Sequence, residues 1–258
     1  TGITIRTVHL KNNHATYRAG ATLVWDSKGD DEAEETRVKA DAFFKIINSE
    51  EEESKKPIPT LMKKDICVVM LDNEDSFIHT LADYIRQNGA DVHTFRSDID
   101  LKIVLDKRPD LIVHSPGPGT PSDFNLPSLV LTLANLKIPQ FGVCLGMQGI
   151  AEAFGGKLDF LPEPRHGKRW VINHQSDGIF KDIPSPCEVG AYHSIVVKDA
   201  PDDFFVTART KDGLIMGLTH KNLPIFGLQF HPESILSLKD NVGHKIVSNL
   251  INTLKIKN

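Results

Sequence analysis

The amino-acid sequence predicts an α/β fold, an open and mostly parallel doubly wound sheet, preceded by a partial α+β appendage. The first observation is a regular alternation, from residue 66 onward, of short apolar runs with segments of helical spacing. The second is that Ile66–Leu71 is continuously apolar, as expected of a strand buried on both faces. The third is a charged, proline-containing stretch at residues 50–64, which separates this region from the residues before it.

Residues 1–49 form the predicted appendage. Ile3–His9 and Ala15–Val24 are predicted strands, and Glu32–Ile47 has the spacing of a helix. Two strands and one helix are small for an independent domain, so we interpret this region as the C-terminal tail of a larger one. Residues 50–64 are then a solvated linker.

Residues 65–258 are predicted to form one domain of alternating strands and helices. The predicted strands are Ile66–Leu71, Ala90–Phe95, Leu111–His114, Gln140–Val143, Trp170–Asn173, Phe205–Ala208, Leu214–Leu218 and Ile225–Gln229. The predicted helices are Ser76–Gln87, Leu101–Leu105, Leu126–Leu136, Leu145–Phe154 and Val242–Leu254. A helix between consecutive strands favours parallel pairing, with ligands bound at the carboxyl edge of the sheet.

Charge and composition argue against several classes of function. The net charge of −4 gives no support to a nucleic-acid or anionic-membrane partner. No apolar stretch reaches the roughly 18 to 20 residues that a transmembrane helix needs. The three cysteines, Cys67, Cys144 and Cys187, are too few for a disulfide framework and favour a reducing, cytoplasmic setting.

The segment Gly142-Val143-Cys144-Leu145-Gly146 places a cysteine between a predicted strand and a predicted helix. A sharp turn of this kind exposes a nucleophile at the carboxyl edge of the sheet. The helix N-terminus favours a thiolate there, and the Leu145 amide is placed to donate to an oxyanion. A small buried cysteine is the alternative interpretation.

A second motif, Gln229-Phe230-His231-Pro232-Glu233-Ser234, follows the last predicted strand. His231 is the candidate general base for the cysteine, and Glu233 is the candidate partner that orients the imidazole. The alternative is a surface loop, since eleven histidines make any single one weak support. Two such motifs of complementary chemistry in one domain favour catalysis.

A third motif, His114-Ser115-Pro116-Gly117-Pro118-Gly119-Thr120-Pro121, ends the third predicted strand of this domain. Its glycines allow backbone amides to approach a ligand closely. The Gly117 amide is the candidate second donor to an oxyanion. A plain proline-glycine loop is the alternative, because proline has no N–H to donate.

Residues 65–258 resemble the class I glutamine amidotransferases of the triad type, which have a flavodoxin-like fold. The resemblance rests on Leu71-Asp72-Asn73, Asp75-Ser76-Phe77, Ser115–Gly119, Gly142–Gln148, His166-Gly167-Lys168, Tyr192-His193-Ser194 and Gln229–Ser234. His-Gly-Lys and Tyr-His-Ser resemble the branch that serves anthranilate and aminodeoxychorismate synthases. One departure is Met147, where the family often has histidine.

The resemblance implies roles for particular residues. Cys144, His231 and Glu233 are the expected catalytic triad. Gly117 and Leu145 are the expected oxyanion hole. The residues expected to hold the substrate glutamine are Gly117, Pro118, Gly119, Gln148, Ser194 and Ile195.

The first 49 residues resemble the C-terminal end of chorismate-utilising synthases, which use Mg²⁺. By this resemblance, Arg6 and Gly20 belong to a chorismate site. Glu32 and Glu35 lie three apart on a predicted helix and share a face, where carboxylates can hold Mg²⁺ in the intact synthase domain. A solvated acidic helix face is the alternative.

A synthase followed by an amidotransferase resembles the fused anthranilate synthases. The expected function is a glutaminase, without a cofactor of its own, that passes ammonia to a chorismate-aminating domain of the same polypeptide. The expected product is anthranilate, for tryptophan biosynthesis, and the intact polypeptide is expected to be a homodimer. Two alternatives stay open: the same glutaminase in a phenazine-type aminodeoxyisochorismate synthase or an aminodeoxychorismate synthase, and a catalytically silent regulatory module.

Overall fold

A computed structural model of the chain describes residues 8–11, 14–17 and 66–255. The first two segments are strands β1 (Val8–Lys11) and β2 (His14–Tyr17), which pair antiparallel with Lys11 opposite His14. They overlap the predicted strands at Val8–His9 and Ala15–Tyr17 and extend into the predicted connection between them. The rest of those predictions, the predicted helix at 32–47 and the linker at 50–64 lie outside the described residues.

The first half of residues 66–255 alternates strand and helix as predicted. The strands are β3 (Cys67–Asp72), β4 (Asp91–Arg96), β5 (Leu111–His114) and β6 (Gln140–Val143). The helices are α1 (Ile78–Gln87), α2 (Leu101–Asp106), α3 (Leu126–Asn135) and α4 (Leu145–Ala153). Helix α1 begins two residues later than the sequence predicts.

The second half is mostly strand. It contains β7 (Lys157–His174), β8 (Cys187–Asp199), β9 (Phe204–Thr210), β10 (Ile215–His220) and β11 (Ile225–Leu228), and ends with helix α5 (Val242–Lys255). Short 3₁₀ turns lie at Pro121–Phe124, Gly178–Phe180, Ile235–Ser237 and Lys239–Asn241.

Within residues 66–255 these nine strands form one sheet, in the order β4-β3-β5-β6-β11-β10-β9-β7-β8. The first five strands in this order are parallel, and the other four are joined antiparallel. The predicted α/β fold is thereby confirmed. β3, β5, β6 and β11 run in one direction, so their carboxyl ends meet at one edge.

The sheet is covered by helices on both faces. Val68 and Met70 of β3 pack with helices α1 and α5, whereas the alternating residues Val69 and Leu71 pack with α2 and α3. On the face that α2 and α3 cover, helix α4 also packs against α3, for example through Ile150. The continuous apolar run that predicted β3 therefore reflects burial on both sides. No helix of the described residues is long and apolar enough to cross a membrane.

The antiparallel half differs from the prediction. The sequence predicted only Trp170–Asn173 of the 18-residue strand β7, and none of β8. Strand β8 mixes buried apolar residues with polar and charged ones, and β7 contains two prolines and a glycine. These residues obscure the apolar pattern, and pairing with a distant strand stabilises the extended backbone instead.

Candidate active site

Cys144 occupies the turn between β6 and α4. Its backbone has φ 52° and ψ −104°, a region that a residue with a Cβ seldom adopts. The turn is tight because a Cβ on Gly146 would lie 2.3 Å from the His114 carbonyl oxygen. A Cβ on Gly142 would lie 2.4 Å from the Gly146 carbonyl carbon. The two glycines of the motif are therefore needed for close backbone approach, and the strained turn holds the sulfur at the helix N-terminus.

His231 and Glu233 form a buried pair beyond the end of β11. The His231 Nδ1 atom lies 2.7 Å from Glu233 Oε1, and the two residues are only 3% and 2% exposed. The His231 backbone is anchored as well. Its N–H donates to the Gly190 carbonyl at 3.0 Å, and its carbonyl accepts from the Ser237 hydroxyl at 2.7 Å. The imidazole is thus fixed both through its ring and through its main chain.

The other side of the imidazole faces the Cys144 thiol. Burial alone would lower the pKa of His231, but the Glu233 carboxylate and the neighbouring Cys144 side chain hold that pKa well above its ordinary value. Since Nδ1 is engaged by Glu233, the Nε2 atom is the one on the thiol side. The imidazole therefore has the Glu233 carboxylate at Nδ1 and the Cys144 side chain nearby, which favours a charged imidazolium beside the sulfur.

Two aromatic side chains enclose the imidazole. The Phe77 and Tyr192 rings lie 5.8 Å and 5.0 Å from the His231 ring, both edge to face, and 5.4 Å from each other. The Tyr192 hydroxyl is 2.9 Å from the Ser234 hydroxyl, three residues beyond His231. These contacts restrict the ring and limit the access of water to it.

A cleft of about 370 Å³ opens over these groups. Eight predicted site residues line it together: Gly117, Pro118, Gly119, Cys144, Gln148, Ser194, Ile195 and His231. Glu233 lies behind the imidazole rather than in the wall. Leu145 is the first residue of α4, so its amide is among the helix N–H groups without an intrahelical acceptor.

The predicted glutamine-binding residues are connected beneath the cleft. The Gln148 amide donates from Nε2 to the Ile195 carbonyl at 2.9 Å and lies 3.4 Å from Gln229 Oε1. The Gln229 amide in turn donates to the Cys144 sulfur at 3.6 Å. Sequence reasoning quoted Gln229 as part of a motif but gave it no role. The structure places it directly against the sulfur.

Several further cleft residues were not predicted as site residues. Asp75, Phe77, Tyr192 and His193 all contribute to the lining. Burial raises the pKa of the Asp75 carboxyl to about 6. The Phe77 amide, which donates to the carboxyl, opposes this shift, and the negative Glu233 adds to it. The available signal was the Asp-Ser-Phe and Tyr-His-Ser motifs, which supported the family resemblance. Of their residues, only Ser194 was predicted to belong to the site.

The residues predicted to contact chorismate or Mg²⁺ are not among the described residues that line the cleft. Arg6, Gly20, Glu32 and Glu35 lie outside the described residues. Within the ranges that the structure does describe, no cluster of His, Cys, Asp or Glu could hold a metal ion.

Fold and site together define a class: an α/β protein with a thiol on a strand-to-helix turn, backed by an imidazole–carboxylate pair. The sequence model of class-I glutamine amidotransferases matches residues 69–249, and that of chorismate binding enzymes matches residues 1–45. The chain belongs to the class-I glutamine amidotransferase family, joined to a piece of the chorismate-binding family.

Similar proteins include both fused and separate forms. The chain is 43% identical over 258 residues to an anthranilate synthase of Azospirillum brasilense, covering 98% of this chain and 35% of that protein. It is 42% identical over 190 residues to anthranilate synthase component 2 of Methanocaldococcus jannaschii, covering 71% of this chain and 95% of that protein. The chain therefore spans about a third of the length of the fused relative.

A solved structure agrees in fold. The crystal structure of a glutamine amidotransferase from Thermotoga maritima matches with a TM-score of 0.61 at 14% identity, covering 76% of this chain and all of that one.

Proposed function

We propose that Cys144, His231 and Glu233 hydrolyse the side-chain amide of glutamine. The observation that carries this proposal is the buried alignment of thiol, imidazole and carboxylate at the base of a cleft, with the Nδ1–Oε1 contact at 2.7 Å. Because His231 favours its charged form there, it is suited to take the proton of the Cys144 thiol and so to generate the nucleophile.

The reaction follows from this arrangement. The Cys144 thiolate attacks the amide carbon, and the amides of Leu145 and Gly117 donate to the oxygen that becomes negative. His231 then gives its proton to the departing nitrogen, so that ammonia leaves and a thioester remains. Water, deprotonated by His231, attacks the thioester carbonyl, which releases glutamate and restores the thiolate–imidazolium pair.

The glutamine molecule is held between two sides of the cleft. Gly117, Pro118 and Gly119 form one side of it, and Gln148, Ser194 and Ile195 form the other. The bond from Gln148 to the Ile195 carbonyl connects helix α4 to strand β8 on that side. We assign the recognition of the amino-acid end of the substrate to Gln148, Ser194 and Ile195.

The acceptor of the ammonia is proposed to be chorismate, and the product anthranilate. The match of residues 1–45 to chorismate binding enzymes and the names of the relatives support this assignment. In the intact synthase domain, Glu32 and Glu35 would hold Mg²⁺, which would neutralise carboxylates of the substrate. Ammonia would pass internally, because free ammonia protonates in neutral water and loses its nucleophilicity. We also propose that the intact polypeptide forms a homodimer, as the family resemblance implies.

The first experiment measures glutamate release from glutamine by the chain and by Cys144→Ser. We expect the variant to be at least about 10³-fold slower, since a hydroxyl is a far weaker nucleophile than a thiolate. Cys187→Ser is the matched control, because Cys187 is equally buried, lies outside the cleft lining, and burial raises its thiol pKa to about 11. Equal rates for the wild type and Cys144→Ser would refute the glutaminase assignment.

The second experiment tests whether this domain supplies ammonia to a chorismate-aminating domain. Residues 65–258 are joined to the complete synthase portion of the Azospirillum relative and supplied with chorismate, Mg²⁺ and glutamine or ammonia. We expect anthranilate and pyruvate in equal amounts from either nitrogen source. We expect Cys144→Ser to lose synthesis from glutamine but to keep synthesis from ammonia, as is required of a domain that supplies ammonia.

A further inference from the structure

The loop from Ser115 to Gly119 contains the proposed oxyanion donor, Gly117, between two prolines. Neither Pro116 nor Pro118 has an N–H group, so this stretch has few main-chain donors with which to fix its own conformation. An oxyanion donor contributes to catalysis only if its N–H points to one place before the reaction begins. Other groups must therefore set the direction of the Gly117 N–H.

The Ser115 hydroxyl is bound to the peptide group that carries this N–H. It donates to the Pro116 carbonyl oxygen at 2.6 Å, within the buried interior. The Pro116–Gly117 peptide is trans, so the Pro116 C=O and the Gly117 N–H are rigidly coupled and point in opposite directions. A hydrogen bond that fixes the direction of the Pro116 C=O therefore also fixes the Gly117 N–H, which points the opposite way.

The hydroxyl is itself held by the end of strand β3. The Asn73 N–H donates to Ser115 Oγ at 2.8 Å, and the Asn73 side-chain amide donates to the Ser115 carbonyl at 3.0 Å. Both residues are fully buried. A Cβ on Gly117 would lie 2.3 Å from the Asn73 carbonyl oxygen, so the loop rests directly on the Asn73 main chain.

We propose that Ser115 is a positioning residue for glutamine hydrolysis, whose hydroxyl locks the Pro116–Gly117 peptide with its N–H toward the developing oxyanion. The inference rests on the proposed glutaminase function. Without the hydroxyl, the Pro116 carbonyl loses its partner and the peptide plane is free to rotate. Ser115 does not line the cleft, so its removal leaves the glutamine contacts in place and acts on the transition state.

The test compares wild type with Ser115→Ala in steady-state glutamine hydrolysis and in alkylation of Cys144 by iodoacetamide. Alkylation displaces iodide at a saturated carbon and forms no oxyanion, so it reports the thiolate–imidazolium pair alone. We expect kcat to fall by about 10- to 100-fold, somewhat less than the effect of deleting a donor, with KM changed less than about twofold. The alkylation rate should stay within about twofold of wild type.

Three further variants complete the design. Ser185→Ala is the matched control, since that hydroxyl also both accepts from and donates to the main chain, at His174, and lies outside the cleft. Ser115→Thr retains a hydroxyl and should recover most of the lost kcat. If circular dichroism shows that Ser115→Ala does not fold, Asn73→Ala is used instead, because it removes the side-chain amide that donates to the Ser115 carbonyl. It should lower kcat by a smaller factor and leave KM and the alkylation rate unchanged.

The outcomes separate the two proposals. Wild-type glutaminase activity with an unaltered kcat in Ser115→Ala would overturn the positioning role, as would a parallel loss of alkylation or a rise in KM alone. Failure of the glutaminase proposal has a different signature, in which the wild-type chain and Cys144→Ser hydrolyse glutamine equally.

Discussion

Replacing Glu233 by glutamine removes one negative charge from the interior and changes the side-chain volume very little. The Glu233 and His231 side chains are 0% and 4% exposed, so solvent barely screens their interaction. Two opposite unit charges 2.7 Å apart attract by about 6 kcal/mol at an effective dielectric constant of about 20.

Part of this interaction survives the substitution. A glutamine oxygen still accepts a hydrogen bond from Nδ1, although it no longer stabilises the charged imidazole. We therefore expect Glu233→Gln to raise the barrier by about 3–5 kcal/mol, which lowers kcat by about 10²- to 10⁴-fold. Since the Glu233 carboxylate is a main cause of the raised His231 pKa, alkylation of Cys144 near neutral pH should slow as well.

Glu188→Gln is the matched control. Glu188 pairs with Lys239 at the same separation of 2.7 Å, but those side chains are 29% and 58% exposed. An exposed pair contributes about 0–1 kcal/mol, so this variant should retain its activity and most of its stability. Glutamate release and iodoacetamide labelling are measured for all three proteins between pH 6 and 9. A kcat for Glu233→Gln within fivefold of wild type would refute the reasoning.

The remaining predictions concern stability. The folded pKa of Asp75 is about 6, above its ordinary 3.8, so the ionised carboxyl destabilises the fold increasingly between these two pH values and fully above them. The full difference corresponds to about 3 kcal/mol, which partial exposure reduces, so Asp75→Asn should raise the free energy of unfolding by about 1–2 kcal/mol at pH 8. In urea titrations the gain should vanish near pH 3.5, and a gain of the same size at both pH values would contradict this account. Gly146→Ala should cost at least about 3 kcal/mol or abolish folding, because its Cβ would meet the His114 carbonyl at 2.3 Å. Gly213→Ala has open space but a φ of +90°, so it should cost only about 1 kcal/mol, and equal losses in thermal melts would count against the packing argument.

Much of the sheet and part of the site could be predicted from local patterns. The β3 to α4 alternation follows from apolar runs and helical spacing, which record the burial of each element independently of its neighbours. Cys144 and His231 could be singled out because each ends a buried strand with chemistry suited to the other. Strand β8 could not be predicted, since its extended backbone depends on pairing with β7, from Ile172 opposite Cys187 to Lys157 opposite Asp199.

The sequence by itself determined the α/β class, the thiol on its turn between Gly142 and Gly146, and the His-Pro-Glu spacing that brings imidazole and carboxylate together. Only the tertiary structure decided what surrounds them. Phe77 and Tyr192 enclose His231 although they are distant in sequence. Strand β8 reaches the residues after β11 through the bridge between Gly190 and His231, which brings Tyr192 to the imidazole. Residue patterns encode which face of an element is buried, whereas pairing between distant segments decides which residues meet at the site.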